Sequence, residues 1–152
     1  MDATDQGLAR VRLSAARVAR LATVRPDGQP HLVPIVFALV GDVVWSAVDG
    51  KPKSTRALQR LANIEAQPRV SLLVDHYAED WDTLWWVRVD GHASVVPVTS
   101  AAGEGYSGSS EASEALEALE ALTEKYAAYV AAPPTGPLVR IAIDRWAAWS
   151  AR

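Results

Sequence analysis

Residues Gln29 to Val48 read QPHLVPIVFALVGDVVWSAV. Two runs rich in β-branched residues flank Gly41-Asp42, a dipeptide suited to a tight reversal. The stretch therefore predicts a hairpin made of a long strand, Gln29–Val40, and a shorter one, Val43–Val48. Working back, Pro26-Asp27-Gly28 is a second turn signal that joins the long strand to Arg20–Arg25, another strand. Before it, residues 5–18 place Leu8, Val11, Ala15 and Val18 roughly on one side of a short helix.

Working forward, Asp49 to Pro52 is a loop, and residues 54–66 form a helix that Pro68 ends. Val70–Asp75 is an apolar strand, by its pattern buried on both faces, and His76–Asp82 is an acidic loop. Leu84–Val98 is a second long strand in which Arg88, Asp90 and His92 alternate with Val87, Val89 and Gly91. Gly91 is a candidate bulge position. Residues 99–110 read as a flexible linker and residues 111–131 as an inserted helix of Ala, Leu and Glu, stopped by Pro133-Pro134. Leu138–Ser150 is the last strand. The sum is about six strands, antiparallel because most connections are too short for parallel crossovers, which suggests a small closed or split barrel with inserted helices.

A chain of 152 residues suggests one domain, here 1–152, with one core. The net charge of -3 argues against broad nucleic-acid binding, which needs a basic face. The absence of cysteine excludes disulfides, thiol catalysis and thiolate metal sites. No apolar run approaches the roughly 20 residues of a membrane span, and MDATDQGLAR lacks the apolar core of a signal peptide. A cytoplasmic protein without membrane or nucleic-acid partners is the expectation.

The most unusual local feature is KPKSTRALQRL, Lys51 to Leu61. Ser54 or Thr55 is a suitable N-cap for the helix carrying Leu58, Leu61 and Ile64, so Lys51, Lys53, Arg56 and Arg60 crowd its first turns. A helix N-terminus already carries partial positive charge and unpaired N–H groups, so these cations suit an anion bound among them, usually a phosphate. The alternative is a solvated basic helix start.

Other candidates carry less. His31, His76 and His92 lie far apart without metal-ligand spacing, and the acidic turn around His76 reads as solvated. Ser14, Ser46 and Ser71 lack a nucleophile-elbow context, and no GxGxxG or GxxxxGK loop occurs. The glutamates of the inserted helix read as a solvated surface. Trp85 and Trp86 are adjacent in a strand and must point to opposite faces, one filling the barrel, the other facing out toward a second subunit or a planar ligand.

In order, ATVRPDGQPHLVPIVFAL, VVWSAV, KPKSTRALQRLANI and RVSLLVD resemble the pyridoxamine 5′-phosphate oxidase-like split-barrel flavoproteins. WDTLWWVRVDGHASVV, KYAAYVAAPPTGP and RWAAWSA look like the branch of that family that uses the deazaflavin coenzyme F420, common in actinobacteria. The resemblance runs from about residue 17 to the end and implies a split barrel that forms a homodimer with cofactor sites at the subunit interface. It also implies that Lys51, Lys53, Ser54, Thr55 and Arg56 hold the cofactor phosphate. Many relatives carry lysine where this chain has Ser54, so Lys53 or Lys51 supplies that charge. The ring would lie along Pro34, Ile35, Val36 and Phe37 on one strand and Trp45, Ser46 and Ala47 on the next, with Trp85, Trp86 and Arg88 coming from the other subunit.

The implied activity is hydride transfer from reduced coenzyme F420 to a small organic substrate. No catalytic residue is assigned, although His31 is a candidate proton donor. Two alternatives stand beside it: an FMN-dependent enzyme of the pyridoxamine phosphate oxidase type, and a non-catalytic protein that stores or carries coenzyme F420. An oxidase of that type needs a second basic cluster for its substrate's phosphate, and none is evident. The acidic tail of the deazaflavin would want further cations, for which Lys51, Arg20 and Arg25 are candidates.

Overall fold

The computed structural model describes residues 2–48, 55–98 and 110–151, with the side chains of 55–58 outside the description. In chain order the elements are α1 (Ala3–Ala15), β1 (Ala19–Val24), β2 (Pro30–Ile35), β3 (Ala38–Val40), β4 (Val43–Ala47), α2 (Thr55–Ala66), β5 (Arg69–His76), a 3-10 turn (Trp81–Thr83), β6 (Trp85–Val96), α3 (Ser110–Lys125), α4 (Ala128–Ala131) and β7 (Leu138–Ser150).

The strands form one sheet in the order β2-β1-β5-β6-β7-β4-β3, with antiparallel pairing throughout. Its two edges are consecutive in sequence. Ile35 ends β2 and Ala38 begins β3, so three Cα steps, at most about 11 Å, connect opposite edges of the sheet. A flat sheet of seven strands would hold its edges about 29 Å apart. The sheet must therefore curl into a half-open barrel, the expected split barrel.

That connection is also where the sequence expectation changes. Gln29–Val40 is not one strand but two, which raises the strand count to seven. Pro30 and Pro34 lack N–H groups and sit in β2, an edge strand, where a missing donor is tolerated. Val36 and Phe37 form the corner, and Phe37 is wholly buried.

Three further readings shift. The helix expected over 5–18 is α1, started by the Asp2 side chain accepting from the Asp5 N–H, and its buried face is Ala9 and Leu13. Leu8, Val11 and Val18, placed on the apolar side by periodicity, are exposed. β5 buries Val70, Leu72 and Val74 on one face only, while Ser71 and Leu73 are half-buried on the other. The helix expected over 111–131 is two pieces. After Lys125 the hydrogen bonds tighten to a three-residue spacing, Tyr129 N–H to Tyr126 O and Val130 N–H to Ala127 O, and α4 follows.

The main core lies inside the curl and includes Leu13, Leu21, Phe37, Val44, Ile64, Leu72, Val87 and Ile141. A second cluster under α3 joins Trp45, Val96, Leu122 and Leu138. α2 docks on β6 and β1 through Ile64, and its buried Asn63 donates from Nδ2 to Thr23 Oγ1 at 3.0 Å. α1 is tied to the barrel by Arg10, which donates to the Gly41 carbonyl at 2.6 Å and pairs with Asp42, and by Arg12, which donates to Ser150 Oγ at 2.7 Å.

Candidate functional site

Lys51, Lys53 and Ser54 lie outside the described residues. Thr55 opens α2 with Arg56 next to it, so the basic segment does lead into a helix start, although the side chains at 55 and 56 are not described. One turn further on the same side of α2, Arg60 is described. Among the described residues its buried Nε has no hydrogen-bond partner. Burial lowers the pKa of its guanidinium, an effect that Tyr129 partly offsets. A buried guanidinium N–H without an acceptor is costly, and an anionic oxygen is the acceptor it suits best.

The expected ring wall divides by face. Ile35 and Phe37 point into the core, and Trp45 is buried in the cluster under α3. Ser46 is buried and its hydroxyl donates to the Val36 carbonyl at 2.8 Å, binding β4 to the corner. Pro34 is exposed, while Val36 and Ala47 are half-buried, so these three are the accessible parts of the wall.

Sequence reasoning missed what holds the corner. The Phe37 N–H donates to the Tyr126 hydroxyl oxygen at 3.1 Å, and Lys125 Nζ donates to the Phe37 carbonyl at 2.9 Å. The Tyr126 hydroxyl has one proton to give and lies 2.9 Å from the Arg17 carbonyl and 3.0 Å from that of Phe37. Arg17 stacks on the Tyr126 ring at 4.7 Å and donates from Nη2 to the Lys125 carbonyl at 2.8 Å. Burial, and secondarily the Arg17 charge, lower the Lys125 ammonium to about 8. Burial raises the Tyr126 phenol, against opposing effects of its hydrogen bond to Phe37 and the Arg17 charge. The only sequence signal for this clasp is the pair Lys125-Tyr126 ending an otherwise Ala/Leu/Glu helix, and nothing local says that it reaches Phe37.

Trp85 and Trp86 do take opposite faces. Trp85 packs against the main core, with Arg12 4.7 Å from its ring centroid and His76 stacked at 6.3 Å. Trp86 lies on the outer face beside Arg88, whose guanidinium is 5.9 Å from its ring centroid. There it lines an open, mostly apolar cavity of about 670 Å³ with Arg20, Leu32, Leu73 and Tyr77. The side chain of His31, the candidate proton donor, is half-buried, and its Nδ1 lacks a partner among the described residues. Among the described residues no group of three or more His, Asp or Glu side chains could hold a metal ion, and no described helix is long and apolar enough to cross a membrane.

A family model described as pyridoxamine 5′-phosphate oxidase matches residues 7–150. No curated protein sequence matches the chain. Among solved structures, a conserved hypothetical protein from Mycobacterium tuberculosis is 25% identical with a TM-score of 0.69, covering 100% of this chain and 86% of its own. An FAD-binding protein from Mesorhizobium loti is 22% identical with a TM-score of 0.66, covering 97% of this chain and 94% of its own. An F420 reductase is also 22% identical, with a TM-score of 0.62 and coverage of 91% and 94%. At 22% identity, the likeness to the last two is one of fold.

Proposed function

Since the chain belongs to the pyridoxamine 5′-phosphate oxidase family, we propose that it is an oxidoreductase that binds reduced coenzyme F420 and passes a hydride from it to a small organic substrate. The observation that carries this reading is Arg60 Nε, a buried donor that finds no acceptor among the described residues, one helical turn from Arg56. It fits an anionic group seated at the start of α2, as the phosphate of a flavin-type cofactor would be. Lys51, Lys53, Ser54, Thr55 and Arg56 complete the proposed cradle, each charge-assisted contact contributing about 1.5–3 kcal/mol.

In this reading the ring lies over Pro34, Val36 and Ala47. The buried Ile35, Phe37, Trp45 and Ser46 back the wall and keep it rigid. The partner subunit of a homodimer supplies the outer-face residues Trp86 and Arg88, with Trp85 anchoring that strand. The hydride chemistry belongs to the cofactor, and the chain binds it, orients it and excludes water. The fold likeness to an F420 reductase supports the deazaflavin, and the likeness to an FAD-binding protein keeps a flavin, such as FMN, as the alternative ligand.

Side-by-side titration with coenzyme F420 and FMN, read by tryptophan fluorescence, tests the reading. Coenzyme F420 should quench strongly, and Lys53→Ala/Arg56→Ala should weaken its binding by about a hundredfold or more without altering the circular dichroism spectrum. Unchanged affinity in that double variant sinks the phosphate site. Tighter binding of FMN selects the alternative. Binding without turnover over a broad panel of reducible substrates would leave a carrier.

A further inference from the structure

We propose that the cavity above the β6–β7 bulge binds a small oxyanion, a phosphate or carboxylate group, between Arg69 and Arg145 with His92 as a proton-bearing donor. This site is separate from the proposed cofactor cradle, and no residue of the β3–β4 hairpin lines it.

Regular pairing builds most of it. Arg69 of β5 lies opposite His92 of β6, and Asp90 of β6 lies opposite both Ser71 of β5 and Arg145 of β7. These positions share the outer face, because the intervening Val70, Val89, Gly91 and Ala93 are buried. The register of β6 against β7 then slips: Asp90 pairs with Arg145, but Gly91 pairs with Ile143, leaving Asp144 unpaired. In a regular strand Asp144 and Arg145 would point to opposite faces. Here both line the same cavity of about 530 Å³.

The chain is committed to that slip at two points. A Cβ on Gly91 would come within 2.2 Å of the Ala142 carbonyl oxygen, so only glycine allows the close approach. The Ile143 N–H, drawn away from β6, donates to the Asp42 carbonyl at 3.0 Å. The result is an imidazole–carboxylate pair, His92 Nδ1 with Asp144 Oδ2, that leaves Nε2 to meet a ligand.

Charge pairing leaves a positive remainder. Asp90 Oδ1 accepts from Arg88 Nε at 3.1 Å and from Ser71 Oγ at 2.7 Å, and Asp144 is engaged by His92. Among the described residues no carboxylate is in ion-pair contact with Arg69 or Arg145. Two guanidiniums flanking an imidazole on three adjacent strands suit an oxyanion in bidentate contact.

Calorimetric titration of the protein with sulfate and with succinate tests this. Sulfate is a tetrahedral dianion that does not titrate near neutrality, and succinate represents carboxylates, so the stronger binder identifies the oxyanion class. At least one should bind, about tenfold or more weakly in Arg69→Gln/Arg145→Gln, a surface change that leaves the fold intact by circular dichroism. Sulfate should also bind several-fold more weakly to His92→Leu, which keeps the bulk of the side chain but loses its donor. Binding of neither probe, or wild-type affinity in either the arginine variant or His92→Leu, would overturn the proposal.

Discussion

Lys125 is a half-buried cation that donates a hydrogen bond to the Phe37 carbonyl and rests 3.9 Å from the centroid of the Phe37 ring, beside a second cation, Arg17. Its folded-state value of about 8 is below the ordinary 10.5, so between those limits the unfolded chain binds more protons than the folded one, and stability rises with pH across that window. The Tyr126 phenol works in the opposite sense, because a raised value loses stability only once pH exceeds its ordinary 10.0. Chemical denaturation between about pH 8 and 9.5 should therefore show a rising midpoint in the wild type and a flatter one in Lys125→Met. Equal slopes would mean that Lys125 does not titrate as its surroundings require. None of this is visible locally, since Lys125 and Phe37 are 88 positions apart.

The elements follow their residues where the pattern is strong and yield to tertiary contacts where it is weak. Leu138–Ser150 is a strand over the full expected range, and the Gly41-Asp42 turn places its glycine at φ 60, as a tight hairpin needs. The periodicity of the first helix pointed to Leu8, Val11 and Val18, but Asp2 capping and docking through Arg10 and Arg12 turn Ala9 and Leu13 inward instead. The bulge expected at Gly91 is present, and its reason is the Ala142 carbonyl at the place a side chain would occupy. Gly91→Ala should cost about 3 kcal/mol, read as a lower urea midpoint, while Ser94→Ala on the exposed side of the same strand should change it by less than about 0.5 kcal/mol. A tolerated alanine would show that the strands can part there without loss.

At the scale of the molecule, the described residues leave one face of the curled sheet incompletely covered. Leu32 is 66% exposed and Tyr77 68%, and both border the cavity that Trp86 and Arg88 line. A contiguous apolar patch of this kind suits a second copy of the chain, which is the homodimer proposed above. Sedimentation equilibrium should report a dimer, and Leu32→Asp/Trp86→Ala should shift it to monomer with an unchanged circular dichroism spectrum. A wild-type monomer at the concentrations used would remove the shared-site geometry.

The sequence by itself determined the family, the antiparallel β class, most strand positions, the opposed faces of Trp85 and Trp86 and the basic helix start. These depend on alternation, turn residues and charge within a few positions of one another. Only the tertiary structure decided that Gln29–Val40 breaks at Val36–Phe37, that Lys125 and Tyr126 clasp that corner, that Trp45 is buried under α3, and that Asp144 swings beside His92. Those outcomes come from the closure of the sheet, which brings residues distant in the chain within hydrogen-bonding range. Closure is a property of the whole sheet, and no single segment encodes it.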